Sequence, residues 1–289
     1  AISDTRFASN NEIYYNIASI LKYVPFCRHI YIVTDNQQPE FIGQFVEQGL
    51  CDGDKIRVVD HKEIFSGYEQ HLPTFNTRSI ESMLWNIKGL SDYFIYLNDD
   101  FFFNNLAKIE DFLQDDHVVV YGHWESTFAL KTKLKYRQFL QKQFNKPVQP
   151  KHMIAQMLSA DILGMKKFFE IHHYPHIVDR KILSEYFLTQ PELLETQIKF
   201  KFRSVDQVNP ITLMNHLKIQ KNQANLQPDI DLAYLKNEQS VDAFLHAVNH
   251  PEIKYGCMQS LDQLDGMAAE KIVHVMNDKF KGFLPNSIQ

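Results

Sequence analysis

Residues 93–103 read Tyr-Phe-Ile-Tyr-Leu-Asn-Asp-Asp-Phe-Phe-Phe, and this run constrains the fold more than any other. Tyr93 to Leu97 is short, apolar, aromatic and β-branched, the profile of a strand covered on both faces. Asn98, Asp99 and Asp100 follow at once, where the carboxyl end of a strand in an open α/β sheet would meet a ligand. Paired carboxylates there suit a hard, oxygen-seeking cation such as Mg²⁺, which in turn holds phosphates. An ordinary Asp-Asp turn or helix cap is the plainer alternative. The apolar Phe101–Phe103 behind the pair weighs against it, because unpaired charge between apolar runs is costly.

The stretches before that run repeat its pattern. Glu12 to Tyr23 has Ile13, Ile17, Ile20 and Leu21 on one helical face, with Asn10 or Asn11 as N-cap and Pro25 closing the segment. Ile30 to Val33 is a strand ending at Thr34-Asp35-Asn36, and Glu40 to Gln48 a short helix. Ile56 to Val59 is a strand ending at Asp60-His61, Thr77 to Asn86 a helix with Ile80, Met83 and Leu84 inward, and Val118 to Tyr121 a further strand. Alternating strands and helices predict a largely parallel sheet, with three polar strand ends forming one rim. At 289 residues the chain can bury a sizeable core. A net charge of −5 gives no reason to expect nucleic acid.

Cys27, Cys51 and Cys257 lie far apart, which predicts neither a metal-ligand set nor a disulfide framework and suggests a reducing compartment. No apolar run approaches the roughly 20 residues that span a bilayer, and no signal peptide is visible. The chain begins at Ala1 rather than Met, so this reading of targeting covers only these residues.

Beyond residue 121 the character changes. Lys131, Lys133, Lys135, Arg137, Lys142, Lys146 and Lys151 follow one another with no acid between them. Either this is a solvated helical face or it is a basic patch for an anionic partner, whether phosphate-bearing substrate, charged polymer or membrane surface. His172, His173 and His176 crowd one short stretch, suited to acid–base work or to stabilising phosphate charge, or to nothing beyond a surface turn; no Cys and no regular helical His spacing supports zinc there. Arg203 can fork a phosphate or pair with Asp206 at a helix start. Further helices are predicted over Met153 to Leu163, Lys181 to Phe187, Asp206 to Leu217 and Ala268 to Phe280.

Taken together these motifs resemble the Stealth proteins, which include bacterial capsule and exopolysaccharide hexose-1-phosphate transferases and the related lysosomal-tagging N-acetylglucosamine-1-phosphotransferase. The resemblance is carried by NNEIYYNIASILKYVPFCRHIYIVTDNQQP, VVDHKEIF, LPTFNTRSIES and FIYLNDDFFF, then by HHYPHIVDR and KFRSVDQVNPITLMNH, and last by CMQSLDQLD and FLPNS.

It implies an α/β fold with a Rossmann-like, GT-A-like nucleotide-sugar sheet, a mostly helical insert and a C-terminal region. The divisions expected are 1–114 for the nucleotide-sugar core, 115–171 for a basic insert on the acceptor side and 172–289 for the part completing the site. It also implies transfer of N-acetylhexosamine-1-phosphate from a UDP-sugar to a glycan or phosphoglycan hydroxyl, with UMP released and Mg²⁺ or Mn²⁺ as cofactor. The location implied is cytoplasmic, with peripheral association at the inner membrane and homo-oligomerisation as options.

By position, His173, Arg203, Asp100, Glu12 and His216 fall on catalytic places. Arg6, Asn11, Asp35, Asn36, His61, Asn76, Asn98, His176 and Asp206 are candidate substrate contacts, and Asp99, Asp100, Gln259 and Asp262 candidate metal ligands.

Three departures stand out. The family's opening strand block is absent, Ala18 replaces a usual Arg before Ser19, and Gln259-Ser260 stands where many members have Asn-Asp. Met276-Asn277-Asp278 mimics that last motif, but its place in an amphipathic helix marks it as structural. Two other functions fit the acidic strand end: a GT-A-like glycosyltransferase that releases UDP, and an inactive glycan-binding subunit, which the departures favour.

Overall fold

A computed structural model describes residues 11–144, 148–259 and 261–289. Arg6, Asn10, Lys146 and Ser260 lie outside the described residues.

The fold is mixed α/β. Helix α1 (Glu12–Tyr23) leads to β1 (Ile30–Thr34), α2 (Gln44–Glu47), β2 (Ile56–Asp60), α3 (His61–Ile64), α4 (Thr77–Glu81), β3 (Tyr93–Tyr96) and β4 (Phe101–Phe103). Next come β5 (Leu113–Gln114), β6 (His117–Tyr121), β7 (His123–Ser126), α5 (Thr127–Phe144), α6 (His152–Asp161), β8 (Lys167–Glu170), β9 (His176–Asp179), α7 (Arg180–Thr189) and α8 (Pro191–Ile198). The chain continues through α9 (Pro210–Gln220), β10 (Ala224–Gln227), β11 (Leu232–Leu235), α10 (Val241–Val248), β12 (Tyr255–Met258) and α11 (Gly266–Lys279).

The expected largely parallel sheet is replaced by small sheets. Among the described residues β1–β2, β10–β6 and β11–β12 pair parallel, whereas β12–β4, β3–β9, β5–β6 and β7–β8 pair antiparallel. The regular strand–helix alternation that predicts crossovers holds only through β2; after β3 the partners arrive from residues 176–179 and 255–258, where no strand is evident from periodicity. β3 is half-buried along its whole length rather than covered on both faces. β1 pairs only with β2 and β3 only with β9 among the described residues.

Local chemistry explains other shifts of boundary. α4 stops early because the Ser82 hydroxyl donates to the Arg78 carbonyl at 2.7 Å and the Trp85 indole to the Ser82 carbonyl at 2.7 Å, and a 3₁₀ turn, Leu84–Asn86, follows. α9 begins at Pro210 rather than Asp206, since Asn209 caps it by accepting from Thr212 N–H at 2.8 Å and proline suits the first helical position. The segment from Glu40 condenses into the single turn α2. α1 has the predicted span, with Asn11 at its N-cap in a left-handed conformation and no side-chain capping bond. Asn277 accepts from Tyr15 Oη at 2.7 Å, the structural role expected of that segment.

The larger of two hydrophobic clusters among the described residues buries α9 on all sides, as expected for a helix without a polar face. Gly256 on β12 lies so close to the Phe102 ring of β4 that a Cβ there would approach it to 2.1 Å. This close approach holds β4, and so the Asp99-Asp100 turn before it, against β12.

Lys218 on α9 reaches the β3–β9 pair. Its Nζ donates to Asp179 Oδ2 at 2.6 Å and to Tyr93 Oη at 3.1 Å, with both charged side chains at most 10% exposed. Asp179 also caps α7, accepting from Ile182 N–H. Removing one partner of a buried pair strands the other charge, so Lys218→Ala is expected to cost about 3–5 kcal/mol of unfolding free energy in urea melts. Lys281→Ala on the surface should cost less than about 0.5 kcal/mol.

Candidate active site

A cleft of about 1650 Å³ runs between β1 and β3 and out past the ends of both strands. Every residue of β1 and β3 lines it. Successive strand side chains point to opposite faces, so the two strands meet the cleft edge-on.

The acidic end lies at the turn from β3 to β4. Asp99 is exposed, and Asp100 turns inward with Oδ1 buried and without a partner. Cys257 Sγ donates to Asp100 Oδ2 at 3.5 Å. Burial, then the Asp99 charge, raises the Asp100 pKa to about 7. Asn16 Nδ2 donates to the carbonyls of Asn98 at 2.9 Å and Phe101 at 2.8 Å, pinning both ends of the turn to α1. Gln259 and Asp262 line the same end, and Gln259 Oε1 accepts from Tyr234 Oη at 2.6 Å. An unpartnered carboxylate oxygen among oxygen donors fits Mg²⁺ or Mn²⁺ chemically.

A basic and imidazole-rich wall lines the same cleft. His173 stacks on His152 at 5.6 Å between ring centroids and contacts the rings of Phe101 and Tyr234. Burial, and then His172 and Arg203, lower its pKa. His176 is buried and hydrogen-bonds the His172 carbonyl at 3.1 Å; burial depresses its pKa to about 3, as it does for His152. The exposed Arg203 donates to Thr77 Oγ1 at 3.0 Å.

Several cleft residues escape sequence reasoning. Arg78 donates to the carbonyls of Ser204, Pro150 and Lys151, and burial followed by Arg203 lowers its pKa to about 10. Glu81 Oε1 accepts from Tyr96 Oη at 2.7 Å, its Oε2 is buried without a partner, and burial raises its pKa. The spacing i, i+3 puts Arg78 and Glu81 on one face of α4, a signal masked by the apolar Ile80, Met83 and Leu84. At the mouth Phe75 and Phe202 stack at 5.8 Å and 18°, 48% and 46% exposed, the two rings coming from segments far apart in sequence. A buried amide network joins those segments. Asn76 Nδ2 donates to Gln207 Oε1 and to the Phe200 carbonyl, Gln207 Nε2 to the Gln197 carbonyl, and Ser79 Oγ also to the Gln197 carbonyl.

The remaining expected residues divide. Glu12, Asn11, Asp35, His61, Asn98 and His176 line the cleft together with His173, Arg203, Asp99 and Asp100. Asp35 lies 3.9 Å from His61 Nδ1. Asn36, Asn76, Asp206 and His216 are not among its lining residues. Asn36 turns the chain after β1 with positive φ, Asn76 is a fully buried cap of α4, and Asp206 sits in an exposed turn closed by Ser204. His216 is a core residue: its Nε2 accepts from Phe169 N–H at 2.9 Å, which corrects its expected place at the site. Ala18 is fully buried in α1, away from the cleft. Among the described residues of 115–171, only His152 and Ile171 line the cleft.

Burial pushes the His216 pKa down to about 4. The unfolded chain therefore takes up a proton that the folded chain refuses between about pH 6.5 and 4. This contribution to stability is complete above pH 6.5 and lost as pH falls toward 4. His216→Gln, which keeps an acceptor for Phe169, should flatten the acid-side slope by up to about 1.4 kcal/mol per pH unit, read from urea midpoints at pH 7, 6, 5 and 4.

Residues 6–121 match the family model described as Stealth protein CR2, conserved region 2. The capsular polysaccharide phosphotransferase cps1A of Actinobacillus pleuropneumoniae is 41% identical over 109 residues, 38% of this chain and 28% of the relative. The capsular polysaccharide phosphotransferase LcbA of Aeromonas hydrophila is 30% identical over 195 residues, 68% of this chain and 46% of the relative. The exopolysaccharide phosphotransferase SCO6021 of Streptomyces coelicolor is 30% identical over 208 residues, 72% of this chain and 36% of the relative. The chain thus spans less than half the length of each of these relatives.

Proposed function

The chain belongs to the Stealth family, and from that premise we propose that it transfers a sugar-1-phosphate, of the N-acetylhexosamine class, from a UDP-sugar to a glycan hydroxyl in capsule or surface polysaccharide. The observation that carries this reading is that the Asp99-Asp100 turn and the His173 and Arg203 side chains line one cleft, with the His173 ring against Phe101 and Tyr234 at the acidic end. On this reading β1, β2 and β3 form the platform of a Rossmann-like, GT-A-like donor site. Asp99 and Asp100, with Gln259 and Asp262, would hold Mg²⁺ or Mn²⁺. That ion, when bound, offsets the charge of the diphosphate.

In the reaction, the acceptor hydroxyl oxygen attacks the phosphorus that bears the sugar, and the bond to the bridging oxygen of UMP breaks. His173, kept neutral by burial, takes the hydroxyl proton. The Arg203 guanidinium binds the equatorial oxygens as charge gathers on them. Arg78, tied to three carbonyls, holds the wall in place and adds positive potential. The stacked Phe75 and Phe202 offer an apolar face to an acceptor sugar ring at the mouth.

Incubating the chain with UDP-N-acetylglucosamine or its epimers, Mg²⁺ and a phosphoglycan acceptor should release UMP. Release of UDP would instead establish glycosyl transfer. Neither nucleotide from a chain extended to include the family's opening strand block, together with no thermal stabilisation by UDP-sugar and Mg²⁺, would favour a binding subunit. Arg203→Ala should lower kcat about 10²–10³-fold with little change in the melting temperature. His173→Ala leaving turnover unchanged would remove that residue from the mechanism.

We further propose a cytoplasmic location at the membrane surface. No helix among the described residues is long and apolar enough to cross a membrane. α5 packs Leu130 and Leu134 inward and pairs Lys131 with Asp161, while Phe128, Tyr136 and Phe139 stand exposed on its other side, with Lys135 and Lys142 beside them. Such a helix suits an anionic lipid surface. Sedimentation with vesicles containing phosphatidylglycerol should exceed that with neutral phosphatidylcholine vesicles, and Phe128→Ser with Phe139→Ser should abolish the difference.

A further inference from the structure

Behind the imidazole wall lies a second polar cluster, which the proposed transfer does not use. His123 on β7 directs Nδ1 at Asp229 Oδ2, 2.7 Å away. His172 brings Nε2 to 3.3 Å from the other oxygen of the same carboxylate. The His123 and His172 rings lie 5.7 Å apart at 35°, and the three ligand atoms all fall within 4.8 Å of one another. On the far side of the His123 ring, Nε2 faces Glu125 Oε1 at 3.6 Å and Glu170 Oε2 at 3.8 Å.

Two physical features separate this cluster from a surface ion pair. First, it gathers three carboxylates, Asp229, Glu125 and Glu170, and among the described residues none of them is ion-paired with a lysine or arginine. Glu170 is only 8% exposed, and a buried carboxylate calls for a compensating positive charge. Second, the two ring nitrogens of His123 have different surroundings. One points at the shared carboxylate and the second imidazole, and the other at carboxylates alone. Metal-bound histidines show this division, one nitrogen on the ion and the other N–H donated to a carboxylate that fixes the ring.

We infer that His123 Nδ1, His172 Nε2 and Asp229 form a site for a divalent first-row cation, with zinc the best match, and that Glu170 and Glu125 orient His123 from behind. Two imidazoles are borderline donors that, with one carboxylate, favour zinc over magnesium; ligands at about 2.0–2.2 Å from one ion sit roughly 3.3 Å from each other, the spacing of His172 Nε2 and Asp229 Oδ1, while the 2.7 Å His123–Asp229 hydrogen bond opens slightly as the ion replaces its proton. The site differs in chemistry from the all-oxygen set at Asp99 and Asp100. It joins three separate stretches: β7, the connection from β10 to β11 that carries Asp229, and the turn His172–Pro175 that carries His173 into the cleft. The cation acts as a clamp that positions His173 and takes no part in bond making.

The test uses the full chain, stripped with chelator and dialysed into excess Mg²⁺ so that the all-oxygen site is not counted. Zinc chloride alone is then titrated by calorimetry, with the melting temperature followed in parallel. One zinc per chain and a rise in melting temperature are expected. His172→Ala and Asp229→Asn should each weaken binding at least about 100-fold, and Glu170→Gln about 10-fold. Asp100→Asn and His173→Ala should leave zinc affinity unchanged. Co²⁺ substituted for zinc should give the visible absorption of a four-coordinate ion, and the His172→Ala chain, checked for native circular dichroism, should lack it. No zinc uptake by the wild-type chain would overturn the inference, as would uptake that persists in the His172→Ala/Asp229→Asn double variant. These readouts need no turnover, so the clamp and the transferase reading stand or fall separately.

Discussion

The cleft depends on buried amides. Asn76, Ser79, Gln197 and Gln207 are all fully buried and satisfy one another or neighbouring carbonyls, and they join residues more than a hundred positions apart. A half-satisfied network of this kind would be worse than an apolar core, whereas a complete one selects a single arrangement. That arrangement sets Phe75, Thr77, Arg78 and Glu81 beside Phe202 and Arg203. The Thr77–Arg203 hydrogen bond is its visible edge at the surface. Candidate chemistry on one strand of sequence is thus positioned by polar residues that never meet a ligand.

The same economy appears in how charge is divided. The acidic end rests on the β3–β4 turn, held from one side by Asn16 and from the other by Cys257 and the Met258 N–H, which donates to the Asp100 carbonyl. The basic wall holds guanidinium groups and imidazoles whose protonated forms are disfavoured by burial and by each other. Each end is uncomfortable alone: Asp100 and Glu81 have buried oxygens without partners, and Arg78 has a depressed pKa. Such strain is expected where a ligand supplies the missing charges.

How much of this is legible from residue order depends on range. The helix Glu12–Tyr23 and the strands Ile30–Thr34 and Ile56–Asp60 follow from local periodicity, and the acidic turn after Leu97 follows from carboxylates set between apolar runs. What periodicity cannot carry is partnership. The strand at 176–179 is four buried residues with no alternation, and only its pairing with Tyr93–Tyr96 makes it a strand. Arg78 and Glu81 read as the polar side of an amphipathic helix, because nothing nearby in sequence shows that residues 150–151 and 204 will cover them. His216 fails in the other direction. A histidine in an apolar helix reads equally well as a catalytic group or as a core acceptor, and the Phe169 N–H that decides the matter lies 47 residues away.

The edge-on meeting of β1 and β3 with the cleft has a consequence for the protein as a material. Each strand presents a row of backbone N–H and C=O groups along its cleft-facing margin, and paired rows of this kind are templates for another extended chain. The cleft is therefore, among the described residues, flanked by two strand edges open to strand addition. An extended segment entering between β1 and β3 would close the two pairs β1–β2 and β3–β9 into one continuous sheet.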